Sequence, residues 1–324
     1  MREMAYYEAK LTALREILAA DERVRLIHET FLGLSPRRSL FGEIEKSFPG
    51  RVISPPISEL GVCGLATGAA MAGLRPIVDL VTASFTYEAW PQICNEAANA
   101  FYMSGGRTRA PVVFHMIHGL RGGGAAQHSH SPQAMLWNCP GLEIVLPSSP
   151  RDVRGLLKSA VESDNPTIFV DHALLFETRG PVPESDERIP LGQADVKRVG
   201  GDVTVIATSY MVQRSLKVAG ELAGEGIQVE VVDPRTLVPL DFETLMASVE
   251  KTRRVVIVDE THHSCGVAAE LAARIWESGY DKLKAPVRRV DTPDVPVPYN
   301  KAMEEFISPS ESRIAEAIRA AMRG

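Results

Sequence analysis

Two stretches of the chain hold side chains able to do chemistry. In Ile57-Ser58-Glu59-Leu60-Gly61-Val62-Cys63-Gly64-Leu65-Ala66-Thr67-Gly68-Ala69-Ala70 one acidic residue stands between a Pro55-Pro56 entry and a glycine- and alanine-rich run. Ser58 can cap a helix that begins there, and Glu59 would use its positive end. Gly61, Gly64 and Gly68 would let that helix lie close to a neighbouring chain or a bound group. A carboxylate so placed can exchange a proton, although an ordinary helix start also supplies one. The second stretch, His118-Gly119-Leu120-Arg121-Gly122-Gly123-Gly124-Ala125-Ala126-Gln127-His128-Ser129-His130-Ser131-Pro132, has no regular period. Its glycine triplet permits backbone near a ligand, and its imidazoles can donate protons near neutral pH. A surface loop with solvated histidines is the alternative.

These residues need elements to hold them. Apolar runs at 24–27, 77–81, 112–117, 143–146 and 167–170 read as strands, with helical patterns at 8–18, 61–72, 88–103 and 151–162 between them. Such alternation predicts an α/β domain with a mostly parallel sheet covered on both faces. The stretch Gly180-Pro181-Val182-Pro183-Glu184-Ser185-Asp186-Glu187-Arg188-Ile189-Pro190 has the composition of a linker. The pattern then restarts, with strands at 203–207, 229–232, 254–258 and 287–290 and helices at 212–223, 242–250 and 268–277. The expected division is a first domain over 1–180, a linker over 181–190 and a second α/β domain over 191–324.

Composition narrows the function classes. A net charge of -6 gives no basic footprint for nucleic acid or anionic membrane. No apolar run reaches membrane-spanning length, and the first residues lack the apolar core of a signal peptide, so a cytoplasmic protein is expected. Cys63, Cys94, Cys139 and Cys265 are scattered without a CxxC pair and read as reduced, mostly buried thiols. His115, His118, His128, His130 and the pair His262-His263 lack Cys or carboxylate partners at a metal-binding spacing, so no metal site is expected from them.

Read together with Ala83-Ser84-Phe85, Gln92-Ile93-Cys94-Asn95-Glu96-Ala97-Ala98 and Tyr102-Met103-Ser104-Gly105-Gly106, the two stretches become distinctive. The chain resembles the beta subunits of thiamine-diphosphate-dependent 2-oxo-acid dehydrogenases of the pyruvate, branched-chain and acetoin type, in the transketolase superfamily. The resemblance continues through Cys139-Pro140-Gly141-Leu142, Pro147-Ser148-Ser149-Pro150, Pro190-Leu191-Gly192, Val232-Asp233-Pro234-Arg235-Thr236-Leu237-Val238-Pro239-Leu240-Asp241 and Asp294-Val295-Pro296-Val297-Pro298-Tyr299. It implies two α/β domains with mostly parallel sheets, a pyrimidine-binding domain followed by a transketolase C-terminal-type domain.

The resemblance also implies roles. Glu59 matches the glutamate that hydrogen-bonds N1′ of the cofactor's aminopyrimidine, where burial in an apolar crevice would suit proton sharing. Phe85 resembles the aromatic that packs on that ring. His128 matches a loop histidine that donates a proton and serves acyl transfer to lipoamide. His130 stands where the family often has Gln or Asp, which implies a part in substrate selection. Glu29 matches an acidic residue near the thiazolium, but Thr30 and Leu34-Ser35-Pro36-Arg37-Arg38 then depart from the family, which implies an unusual acid. Ser163-Asp164-Asn165-Pro166 approximates a potassium-binding turn of some relatives.

Missing is the Gly-Asp-Gly with a downstream Asn with which the superfamily it resembles holds magnesium and the diphosphate; Gly201-Asp202-Val203 is not that motif. Those ligands are expected from an alpha subunit in a heterotetramer of two alpha and two beta chains, with a lipoyl acyltransferase as a further partner. The expected reaction is decarboxylation of a 2-oxo acid and acyl transfer to lipoamide. The alternatives are a split transketolase-like carboligase, which passes the same unit to an aldehyde or ketone, and a non-catalytic assembly subunit.

Overall fold

The computed structural model describes residues 1–28 and 38–323. Its first elements are β1 (Arg2–Ala5), α1 (Tyr6–Ala20), β2 (Val24–His28), α2 (Arg38–Ser47), β3 (Val52–Ile53), α3 (Glu59–Met71) and β4 (Arg75–Thr82). There follow α4 (Ala100–Met103), β5 (Val113–His118), α5 (Gln133–Trp137), β6 (Glu143–Val145), α6 (Pro150–Glu162), β7 (Thr167–His172) and β8 (Arg179–Val182). The chain continues with β9 (Asp195–Arg198), β10 (Val203–Ala207), α7 (Tyr210–Ala223), β11 (Val229–Asp233), β12 (Thr236–Val238), α8 (Phe242–Thr252) and β13 (Val255–His262). It closes with α9 (Val267–Gly279), β14 (Arg288–Thr292), α10 (Lys301–Ile307) and α11 (Glu311–Arg323). These segments form two compact units, 1–118 with 135–191, and 119–134 with 192–324.

In the first unit the strands lie in the order β6-β7-β5-β4-β2-β3, all parallel. Both faces of such a sheet are covered, which is why β5 and β7 are buried along their whole length. α6 begins where Ser149 Oγ accepts the Asp152 N–H at 3.2 Å and Pro150 fills the first helical position. The second unit has the order β14-β13-β10-β11-β9, parallel except for the edge strand β9. Its core packs Val203, Val205, Val231, Val256 and Val258 of the sheet against Val212 and Val218 of α7 and Ile314 and Ile318 of α11.

Two segments depart from the periodicity. The helix expected over 88–103 is broken into a π-helical turn (Pro91–Ala97) and α4, and a 3-10 turn (Ala83–Tyr87) precedes it. Pro91 has no N–H to give a helix, and the Ala98 N–H reaches back five residues to Ile93 O at 3.0 Å. The proline-rich stretch expected to be a linker is tied down. Gly180–Val182 pair antiparallel with β1, and Lys158 on α6 donates to Asp186 at 2.6 Å. Ile189 is buried against Gly155, where any Cβ would lie 2.6 Å from Ile189 Cγ1. Polar composition signals a linker only when its charges lack partners.

A hydrogen-bonded charge cluster, wholly buried, joins α1 to three neighbouring strands. Tyr6 Oη and Lys10 Nζ donate to Asp171 on β7 at 2.5 Å each. His115 on β5 reaches Asp171 at 2.9 Å through Nε2 and Asp79 on β4 at 2.7 Å through Nδ1, with Lys10 Nζ beside Nε2. Burial and the Lys10 ammonium oppose a charge on His115, but the bonds to Asp171 and Asp79 outweigh them and raise its pKa. Burial opposes charge on Asp171 as well, yet Lys10 and His115 drive its pKa far below the usual carboxylate range. Burial and the Asp171 charge raise the pKa of Tyr6, so it remains the donor.

The cluster sets a pH window. Stability from His115 is complete below its unfolded value of about 6.5 and is lost as pH rises through the higher folded one. Stability from Asp171 is complete above about 3.9 and is lost as pH falls towards its folded value. Asp171→Asn leaves Lys10 and His115 without their counter-charge and is expected to cost about 3–5 kcal/mol in urea unfolding near pH 6. Glu225→Gln, which breaks an exposed pair with Arg319, should leave the midpoint where it is.

Candidate active site

In an open parallel sheet, ligands bind at the carboxyl ends of the strands where the strand order reverses. In the first unit the chain runs from β2 to β3 on one side and returns as β4 on the other, which puts the reversal at β2. Two expected site residues, Glu59 and Phe85, lie on segments that leave that edge of the sheet. Glu29 follows β2 and lies outside the described residues, as do Thr30 and the departure at 34–37. Glu59 opens α3, the crossover to β4, where Ser58 Oγ accepts the Gly61 N–H at 3.3 Å. Its side chain is half-buried in the single chain. Phe85, also half-buried, rides on the 3-10 turn that follows β4 without a gap.

A bulge aims that turn. The β4–β5 register shifts between Asp79 and Thr82, and Val81 has φ 60°, costly for a β-branched residue. Its N–H donates to Asp79 Oδ1 at 3.1 Å, the oxygen that also holds His115. Asp79 is therefore the residue the sequence reading missed in this unit.

Two of the three glycines of α3 serve contacts inside the unit. A Cβ at Gly61 would meet Ser58 Oγ at 2.9 Å, and one at Gly64 would meet the Gln92 side chain of the π-helical turn at 3.4 Å. Gly68 has no atom within 4 Å of such a Cβ, and Ile57, Leu60 and Leu65 are 78%, 48% and 54% exposed. The start of α3 thus presents an uncovered apolar surface next to a carboxylate.

In the second unit the loop Gly119–Ala134 lies at the end of β13. Leu120 is buried with Val297 and Ile307. Its N–H faces Glu260 Oε1 at 3.4 Å. Gly122 and Gly123, with φ 85° and 109°, turn consecutive N–H groups onto Glu304 Oε1 and Oε2 of α10 at 2.5 and 2.7 Å. Those amides, expected to be open to a ligand, are held by a buried carboxylate of this chain. The loop then folds back, so that a Cβ at Gly124 would lie 2.3 Å from Ser129 Oγ and 3.1 Å from His128 O. His128 ends a 3-10 turn, Ala126–His128, and is exposed. His130 is half-buried; burial, and then repulsion from His262, lower its pKa. It is therefore a neutral imidazole at pH 7, able to accept as well as donate.

Among the described residues no group of three or more His, Cys, Asp or Glu is placed to hold a metal ion. In the turn compared with a potassium site, Arg75 already donates to Val161 O at 2.8 Å, Ser163 O at 2.7 Å and Asp164 Oδ1 at 2.7 Å. Of the cysteines, Cys63 is buried, Cys94 and Cys139 are partly so, and Cys265 is exposed on the loop after β13. Burial, and then the Cys139 thiol, raise the pKa of Cys94. Among the described residues no helix is long and apolar enough to cross a membrane.

Known proteins share both units. Residues 2–177 match the family described as transketolase, pyrimidine binding domain, and residues 192–314 match transketolase, C-terminal domain. The chain is 40% identical over 313 residues to the pyruvate dehydrogenase E1 component subunit beta of Rickettsia felis, covering 96% of each. It is 36% identical to the acetoin:2,6-dichlorophenolindophenol oxidoreductase subunit beta of Bacillus subtilis, covering 97% of this chain and 95% of that one. Among solved structures, a split-gene transketolase captured as an inactive beta4 tetramer superposes with a TM-score of 0.79 at 25% identity, covering 99% and 98% of the two chains.

The pairing of His130 with His262 can be measured. Replacing His262 with Gln removes the second of the two causes that lower the His130 pKa. The expected result in a side-chain NMR titration is a rise of the His130 pKa that stops short of about 6.5, because burial persists.

Proposed function

This chain belongs to the transketolase family, in the branch of the pyruvate and acetoin dehydrogenase E1 beta subunits, and we propose that it supplies the pyrimidine-facing half of a thiamine diphosphate site. It is the beta subunit of a thiamine-diphosphate-dependent 2-oxo-acid dehydrogenase. The observation that carries the proposal is the placement of a helix-initial carboxylate on the crossover into β4, and of an aromatic side chain on the turn directly after β4, in a domain that matches the pyrimidine-binding family. Residues 1–180 would form that domain and 191–324 the C-terminal one, joined by 181–190, with the loop 119–134 grouped with the second unit and 181–190 bound to the first.

The residues present fit the aminopyrimidine half of the cofactor. Glu59 is close enough to solvent to receive a ligand and uncovered on its apolar flank. Phe85 offers a ring for an offset stack. The chain has no Gly-Asp-Gly with a downstream Asn of the kind by which the superfamily holds magnesium, and magnesium and the diphosphate would be held by an alpha subunit seated on the exposed start of α3. When bound, thiamine diphosphate supplies the electron sink that decarboxylation of a 2-oxo acid requires. Glu59 would share its proton with the ring nitrogen N1′, and its enclosure by the partner would favour that sharing. His128, exposed at the tip of its turn, would protonate a sulfur of the lipoyl dithiolane as the acyl group is transferred. His130, neutral and half-buried, would sort substrates. Glu29 would lie by the thiazolium, and assembly as two alpha and two beta chains in the cytoplasm, serving a lipoyl acyltransferase, completes the reading.

The likeness to a split-gene transketolase supports a second reading, in which the acceptor is an aldehyde or ketone. Copurification with an alpha partner, followed by a panel of 2-oxo acids with an artificial electron acceptor, lipoamide or an aldehyde, separates the two. Carbon–carbon bond formation without lipoamide acylation would decide for the carboligase.

Glu59→Gln in the assembled enzyme should keep the fold and lower turnover by about 10²–10⁴ or more, since an amide cannot exchange the proton; wild-type turnover would remove Glu59 from the mechanism. His128→Ala should damage lipoamide acylation more than the artificial-acceptor reaction. Equal losses in the two assays would deny the histidine its role in acyl transfer.

A further inference from the structure

The loop that carries His128 is shaped by a residue nearly two hundred positions away. Glu304 is 4% exposed, and its two carboxylate oxygens each accept one N–H, from Gly122 and Gly123. Both glycines have the positive φ that turns neighbouring amides the same way, so the two bonds form one anion-holding nest. Arg121 is partly buried alongside, where its guanidinium and Glu304 attract each other. Leu120 is anchored in the same place by Val297 and Ile307, the latter on α10 three residues after Glu304. The next residue transmits the constraint: Gly124 touches Ser129 Oγ and the His128 backbone so closely that no side chain fits between them. Ala125 holds φ 56° at this point, a strained conformation that persists only where its surroundings fix it.

We infer that Glu304 is the positioning residue for His128, clamping residues 122 and 123 so that the loop presents the imidazole at the tip of its 3-10 turn. Glu304 itself stays away from the reacting atoms. Charge-assisted bonds of this kind, made to a buried carboxylate, are strong enough for their loss to free the loop without unfolding the domain. The functional half of the inference rests on the assignment of acyl transfer to His128, whereas the clamp does not.

The test uses the full chain in complex with its alpha partner. Glu304→Gln keeps the shape but turns an amide NH2 towards one of the two donors. Gly123→Ala leaves the carboxylate intact and spoils the nest through φ alone, since its Cβ has room 3.6 Å from Tyr299 O. Both variants should speed hydrogen exchange at the Gly122 and Gly123 amides by about tenfold or more, the weight of one charge-assisted bond. Both should also speed tryptic cleavage after Arg121. They should leave thiamine diphosphate affinity unchanged and lower kcat for lipoamide acylation more than for the artificial acceptor. Unaltered exchange and cleavage in both variants would overturn the clamp whatever the reaction proves to be. Faster exchange with unchanged acylation kcat would overturn the positioning role. A wild-type complex that acylates no lipoamide, with the exchange effect intact, would instead sink the assignment of the reaction and leave the clamp standing.

Discussion

One carboxylate oxygen links the interior of the first unit to its edge. Asp79 Oδ1 accepts from His115 inside the sheet and from the Val81 N–H at its end. The first bond belongs to a cluster in which Lys10, Asp171 and Tyr6 have no access to water. Charges so buried keep their positions because every alternative leaves one uncompensated. The second bond bends the chain into the Val81 bulge. The direction in which β4 delivers Phe85 therefore depends on a charge balance in the core.

The second unit repeats the device. Asp259 Oδ1 accepts the Thr261 N–H at 2.7 Å where the β13–β14 register shifts, between Val258 and His262. Asp233 Oδ1 accepts the Arg235 N–H at 2.8 Å, and Arg235 has φ 58°. In each case a short side chain captures the backbone two residues on and offers the strand an alternative to its ladder. Burial raises the pKa of Asp259 against the lowering effect of Thr208 and Thr261, which marks how enclosed this turn is. These turns sit near the carboxyl ends of β4, β11 and β13, and the segment that carries Phe85 follows the first of them.

The loop of the second unit answers to a different constraint. Its glycines carry no side chain that could hold it, so its order comes from Glu304 on α10 and from the Leu120, Val297 and Ile307 contact. A glycine triplet usually signals freedom. Here two of the three amides are spent on an internal anion, and what the third glycine provides is room for the chain to fold back onto His128.

Much of this is legible in the amino-acid sequence. The strands at 24–28, 113–118, 167–172 and 203–207 follow from apolar runs, because burial on both sheet faces leaves continuous hydrophobic stretches. Glu59 at a helix start was legible because capping is local chemistry, and the family resemblance drew attention to Phe85, His128 and His130. The tertiary structure alone decided what depends on distant partners. Pro91 and its π-helical turn broke a helix that periodicity ran straight through. The stretch 180–190 became ordered by pairing with β1 and with Lys158. Glu304 left no trace in the sequence, since a carboxylate that binds backbone N–H groups 182 and 181 positions away needs no particular residue type except glycine opposite it. Periodicity and capping record contacts within a few residues of each other, whereas contacts closed by the folding of a domain are recorded only in space.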